Sequence, residues 1–298
     1  MNINTNSVKQ VLGSIGGLNH LVRDYCPSPA VLALVLASVV GSLGMANTAQ
    51  AVTLYQTGFE PQTFAIGSLV GQDGWTVGGT PEGPFSPDAA VISTNRPRQG
   101  KQSVLVSGAD LLHQNFINSI TGGYYDAIGS YRKTVDYDTG GTQTVRVSAH
   151  VWVDGRRTNR GNNFFSASIG TRGADIASAA GGGTSGNGEL AISSDGHVYG
   201  YTGDDDVPIF LVSTPIALGE WHNLAVETNF ATRQMSFFVD DECLGSFPFV
   251  SSFTGNFVRR GSLVAYAGPD TATNHKADYR ARYDQFRLSV VTSEGCHH

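Results

Sequence analysis

Residues 218–249 read LGEWHNLAVETNFATRQMSFFVDDECLGSFPF. Two runs in this stretch alternate with period two, the spacing of strands whose side chains point to opposite faces in turn. Residues 224–228 form one run and 235–239 the other, with Asn-Phe-Ala-Thr-Arg between them. Trp221, Asn223, Ala225 and Glu227 fall on one face, and His222, Leu224 and Val226 on the other. The stretch predicts a hairpin, and the pattern recurs outward from it. Residues 144–153, TVRVSAHVWV, place Val145, Val147, Ala149, Val151 and Val153 on one face and Arg146, Ser148, His150 and Trp152 on the other. Residues 164–169 alternate again. Residues 189–192 and 198–201 flank Ser-Asp-Gly at 194–196, a tight-turn signal. Residues 263–267 and 281–291 complete the set. Many short strands at short intervals predict an all-β sandwich or barrel.

Composition agrees. The chain of 298 residues carries 37 Gly, a residue that costs about 1 kcal/mol per helix position but serves turns. No segment sustains a 3.6-residue period, no internal repeat occurs, and no linker divides the chain after position 51. The Gly-rich stretch 179–188 is expected as a loop; without a Lys or a following helix it is no phosphate loop. A formal net charge of −6, with no basic run, excludes a nucleic-acid partner.

Residues 1–51 have the order of a secretory signal. Lys9 and Arg23 precede the apolar run PAVLALVLASVVGSLG at 29–44, and Ala49 and Ala51 stand as an A-x-A cleavage site. The apolar run is shorter than the roughly 20 residues a spanning helix needs. Cleavage after Ala51 is expected, with a retained anchor as the alternative, and residues 52–298 as one domain with no membrane span. The expected location is secreted, periplasmic or at the cell surface. Cleavage would remove Cys26 and leave Cys243 and Cys296, either as a disulfide or as two separate thiols.

The 218–249 stretch resembles the concanavalin A-like and laminin-G sandwich superfamily, bacterial exported type. Gly219, Trp221 and His222 match its G-x-W-H opening, and Phe237, Phe238, Val239 and Asp240 match its aromatic strand ending in V-D-G. Asp241 replaces the usual Gly, so a shifted or longer turn is expected. Gly58-Phe59-Glu60 with Gly71-Gln72-Asp73-Gly74-Trp75 resembles the opening of such proteins, and Tyr283-Asp284-Gln285-Phe286-Arg287-Leu288 their closing strand. The resemblance implies a two-sheet antiparallel jelly-roll. It also implies a structural calcium between the first and last strands, with Glu60 and Asp284 as its carboxylates. The alternative is that both pair with Arg residues such as Arg282 or Arg287. The clusters 204–206 and 240–242 lack EF-hand spacing.

Activity is matched by nothing as specific. The superfamily's E-x-D-x-x-E hydrolase string is absent; Glu189 fails its spacing. Arg146 and His150, with Tyr279 and Tyr283 near Lys276, are the residue types of a polysaccharide lyase, but the Q-x-H and Y-F-K-x-G-x-Y strings of such enzymes are missing. No G-x-S-x-G elbow occurs, and Cys296-His297-His298 makes no zinc site. The leading expectation is a non-catalytic binding or adhesion module for a polysaccharide or glycan. Its candidate ligand face is Arg146, His150, Trp152, Tyr199 and Tyr201. A lyase, a hydrolase and a purely structural cell-surface protein are the alternatives. Trp221 and His222 are expected to be structural, one packed at a sheet edge and the other hydrogen-bonded locally.

Overall fold

The computed structural model describes residues 51–80, 83–84, 86–111, 113–117, 124–154, 165–173, 186–202, 209–249, 255–267, 279–292 and 295–296. The expected signal segment, all but the end of the Gly-rich stretch 179–188, the acidic cluster 204–206, Lys276, His297 and His298 lie outside them. The chain divides into two compact units, Met1–Thr48 and Ala49–His298, and every described residue belongs to the second.

The described chain forms two large antiparallel sheets and one small two-stranded one, Gly79–Thr80 with Gly83–Pro84. The first runs, neighbour to neighbour, Glu242–Pro248, Gln234–Val239, Trp221–Asn229, Thr144–Val153, Arg280–Val291, Ser103–Ser107, Ala90–Ser93 and Gly67–Ser68. Val52–Thr57 also pairs Arg280–Val291, so the first strand lies on the last. The second sheet runs Ile209–Phe210, Val198–Tyr201, Gly186–Ser193, Phe165–Arg172, Phe257–Ala267, Tyr124–Asp138 and Trp75–Val77, with His113–Ile117 on Tyr124–Asp138. The chain passes between layers repeatedly: Tyr124–Asp138, Thr144–Val153 and Phe165–Arg172 alternate between the sheets, as do Phe257–Ala267 and Arg280–Val291. This is the expected jelly-roll sandwich.

Period-two alternation decides what lies between the sheets. Val145, Val147, Ala149, Val151, Leu224, Val226 and Phe237 of the first sheet are buried in one core with Phe165, Ile169, Leu190, Ile192 and Leu263 of the second. Gly200 is small because the sheets approach there: a Cβ would stand 3.0 Å from the Phe237 ring.

The opening motif has a packing reason. Trp75 is fully buried against Phe59, Phe286 and Tyr55, with ring centroids 5.8, 5.3 and 6.3 Å away. Its indole N–H donates to Tyr55 Oη at 3.1 Å. Gln72 holds the loop before it, accepting from Ala65 N–H and donating to the Ala65 and Ser68 carbonyls.

The 218–249 hairpin corrects one expectation. Val239 pairs Glu242, so the turn is only Asp240-Asp241, neither shifted nor longer. Both residues have positive φ, 51° and 67°, as a two-residue hairpin turn demands. Asp tolerates the left-handed region because its short carboxylate can bond locally. Here Asp240 accepts from Asn223 N–H at 2.8 Å and lies 2.7 Å from His222 Nδ1. Next to this turn, Cys243 and Cys296 form a disulfide, with Cα atoms 5.6 Å apart.

Candidate functional site

The polar faces of two strands coincide. Thr144–Val153 and Trp221–Asn229 pair with Arg146 opposite Glu227, Ser148 opposite Ala225, His150 opposite Asn223 and Trp152 opposite Trp221. Since Val145 to Val153 face the core in alternation, this whole row points away from the second sheet. Arg280–Val291 flanks it on the other side, with Arg282 beside Trp152 and Asp284 beside His150.

At one end of the row, Trp152 and Trp221 meet edge to face, with centroids 5.9 Å apart and planes at 67°. Trp152 Nε1 donates to Asp154 Oδ1 at 3.2 Å, and Arg282 donates to the same oxygen at 2.9 Å. The Arg96 guanidinium lies 5.0 Å from the Trp152 ring centroid. Arg282 is only 4% exposed, and its Nε has no hydrogen-bond partner among the described residues. His150 Nδ1 is likewise buried and unpartnered. Burial and the nearby Arg98 charge push the His150 imidazole below its ordinary value, against the opposing pull of Asp240 and Asp241. An unpartnered buried nitrogen costs about 1–3 kcal/mol, so both residues are held there at a cost in stability.

Arg146 is already committed. Its guanidinium is 3.1 Å from Glu227 and 3.5 Å from Asp241, and it covers the Phe238 ring. These contacts brace the sheet. Tyr199 and Tyr201, expected on the same face, belong to the second sheet. Val198 and Gly200 alternate with them and face the first sheet, so the two tyrosines point outward on the opposite side of the sandwich. Tyr199 packs there with Phe210, at 4.8 Å, and His197. Local periodicity shows which way a side chain points but not which layer its strand joins.

The lyase alternative loses its tyrosines. Tyr283 is fully buried and its hydroxyl donates to the Val264 carbonyl across the core at 2.6 Å, while burial pushes its pKa well up. Tyr279 stacks on Phe165. Neither meets His150. His222 is structural as expected, held between Asp240 and the Ala217 carbonyl. Trp221 is not merely an edge packer: it forms half of the tryptophan pair. Its own alternation with Asn223 had put it on the polar face. Arg96, Asp154 and Arg282 carried no sequence signal, because only strand pairing and a turn bring them to Trp152.

Glu60 and Asp284 do converge, on the turn at 98–101. Asp284 is fully buried; Oδ2 accepts from Arg98 N–H at 2.8 Å and Gln99 N–H at 3.0 Å, and Oδ1 from Gln285 N–H at 2.7 Å. Both Glu60 oxygens accept from Lys101 N–H at 3.1 Å. Gln102, with its amide nitrogen turned inward, donates to the Phe59 and Phe64 carbonyls. Burial raises the Asp284 pKa, backbone N–H groups oppose the rise, and the Glu60 charge adds to it. The residues do not fit the calcium expected from the sequence: calcium wants six or more oxygens, and here N–H groups face the carboxylates. Nor do the Arg pairs foreseen as the alternative form, since Arg282 binds Asp154 and Arg287 donates to Thr53. The clasp between first and last strands is made of hydrogen bonds to a turn.

No family model and no curated protein matches the chain. Solved structures resemble it at low identity. A carbohydrate esterase from a Shiga toxin-encoding bacteriophage is 12% identical over 81% of this chain and 100% of that one, with a TM-score of 0.47. The Emp47p carbohydrate recognition domain is 9% identical over 83% and 100%, with a TM-score of 0.46. Against a sialidase the match spans 72% of this chain and only 17% of that longer one, with a TM-score of 0.40. The chain's own strand pairing is what shows its architecture, a sandwich of two large antiparallel sheets.

Proposed function

We propose that this chain is an exported, non-catalytic module that binds glycans on the outer face of its first sheet. The observation that carries the proposal is the half-buried Trp152–Trp221 pair on the outward row of the first sheet. Aromatic faces stack on sugar C–H groups, while a few fixed polar groups read the hydroxyls. Asn223, opposite His150, adds an amide. Export is supported by the signal-like order of residues 1–51 and by the Cys243–Cys296 disulfide, a bond that persists in oxidising compartments. Among the described residues no helix is long and apolar enough to cross a membrane.

The test is a glycan-array screen of the full chain, followed by titration of the best ligand. Trp221→Ala is expected to weaken binding about tenfold, a loss of about 1.4 kcal/mol. Tyr199→Ala, on the opposite face, is expected to change nothing. Binding that survives Trp221→Ala but fails in Tyr199→Ala would move the site to the second sheet. An unsaturated, ultraviolet-absorbing product released from acidic polysaccharides would replace binding by lyase chemistry.

A further inference from the structure

We infer that the chain between Val291 and Cys296 is a strap across the outer face of the first sheet, latched by the Cys243–Cys296 disulfide, and that it closes one end of the outward row. The strap stands on strand register and chain length; what it does to a ligand rests on the glycan-binding proposal.

Register fixes both ends of the strap. Val291 pairs Thr144, Thr144 pairs Asn229, Asn229 pairs Gln234 and Gln234 pairs Pro248, one cross-strand line over five strands. Cys243 lies on another such line, with Phe238, Ala225, Ser148 and Arg287. From Val291 the chain has to move four strands sideways and four residues back along the sheet to reach it. At about 4.8 Å per strand and about 3.3 Å per residue, the direct line is about 23 Å. Five residues reach at most about 18 Å, and the bonded cysteines have Cα atoms 5.6 Å apart. The direct line is within that reach; a detour round the end of the sheet, about 32 Å, is not. The inner face is filled by the core, so the line runs over the outer face. Cross-strand partners point to the same side, which puts the Cys243 side chain outward with Phe238, whose ring carries the Arg146 guanidinium.

Burial follows the same line. Glu227 stands at its midpoint by register and is 2% exposed. Ser289, Ser236 and Phe238, outward like Glu227, are 4, 7 and 5% exposed. Outward polar residues on an antiparallel sheet normally face water. Away from the line the face is more open: Ser148, His150, Trp152, Asn223 and Trp221 are half-buried. The open row from Ser148 to Trp152 is about 13 Å long, so a glycan is held at the tryptophan end and does not run on over Glu227. A dithiol undoes the latch. The S–S bond breaks, each cysteine sulfur gains one electron and one proton, and the dithiol closes into its own disulfide.

The experiment is hydroxyl-radical footprinting of the full chain, comparing the parent, the parent with dithiothreitol and Cys296→Ser, with circular dichroism to check each fold. Phe238 oxidation is expected to rise several-fold in the last two, while its fully buried neighbour Phe237 stays protected. An unchanged Phe238, or one that rises only together with Phe237, overturns the strap. A second arm titrates cello-, xylo- and galacto-oligosaccharides from disaccharide to octasaccharide. The parent is expected to gain no affinity from units beyond those the open row holds, and Cys296→Ser to go on gaining. The same length dependence in both overturns the closed end. If neither protein binds any of these sugars, the glycan reading loses its support, and the footprint by itself decides for or against the strap.

Discussion

His150 and Arg282 carry the polar peculiarity of the first sheet at the scale of single residues. Each sits in a sheet whose backbone bonds are satisfied, yet each leaves a buried side-chain nitrogen without a partner. His150 also carries a pH consequence. Its folded pKa lies below the ordinary 6.5, mainly through burial and then through Arg98, so the unfolded chain takes up the proton first as pH falls. The contribution of His150 to stability is therefore fully present above about pH 6.5 and declines below it, until the folded imidazole protonates too. Urea midpoints measured from about pH 7.5 down to about pH 5 should fall, and His150→Gln should flatten that part of the curve. An unchanged slope in the variant would show that other groups set it.

Between elements, the clasp between the first and last strands makes the clearest claim. Asp284 and Glu60 hold the 98–101 turn through backbone N–H groups, close in sequence to Arg96, whose guanidinium lies over Trp152. Asp284→Ala should destabilise the fold by about 2–4 kcal/mol, because it strands buried N–H donors, and should also weaken glycan binding by loosening the turn. A chelator should leave the melting temperature unchanged. A melting temperature that falls on chelation and recovers with calcium would show that a metal, not the turn, occupies the clasp. The sequence singled out both carboxylates correctly as neighbours, through the resemblance of their motifs. Their partners were not legible, since nothing in Arg-Gln-Gly-Lys at 98–101 says where its N–H groups will point.

At the scale of the whole molecule, the disulfide joins the end of the chain to the outer edge of the first sheet. It closes a loop of sequence separation 53. Chain-entropy arithmetic for such a loop gives about 4 kcal/mol, an upper figure for many proteins. Cys243→Ser should lower the melting temperature by several degrees, and reductant should do the same to the parent but nothing further to the variant. A variant as stable as the parent would mean that the sandwich core alone holds the edge.

Alternation along 144–153 and 224–228 was enough to predict two strands and which residues share a face, Arg146, His150 and Trp152 on one and Trp221 with Asn223 on another. Side-chain facing is a local property of an extended backbone, so the sequence by itself determined it. Tertiary structure alone decided the rest. It put Tyr199 and Tyr201 on the opposite side of the sandwich, closed the hairpin on Asp240-Asp241, and delivered Arg282, Asp154 and Arg96 to the tryptophan pair. Layer, register and neighbour are set by which strands pair, from Val239 with Glu242 to Trp152 with Arg282, and no period within a strand records that choice.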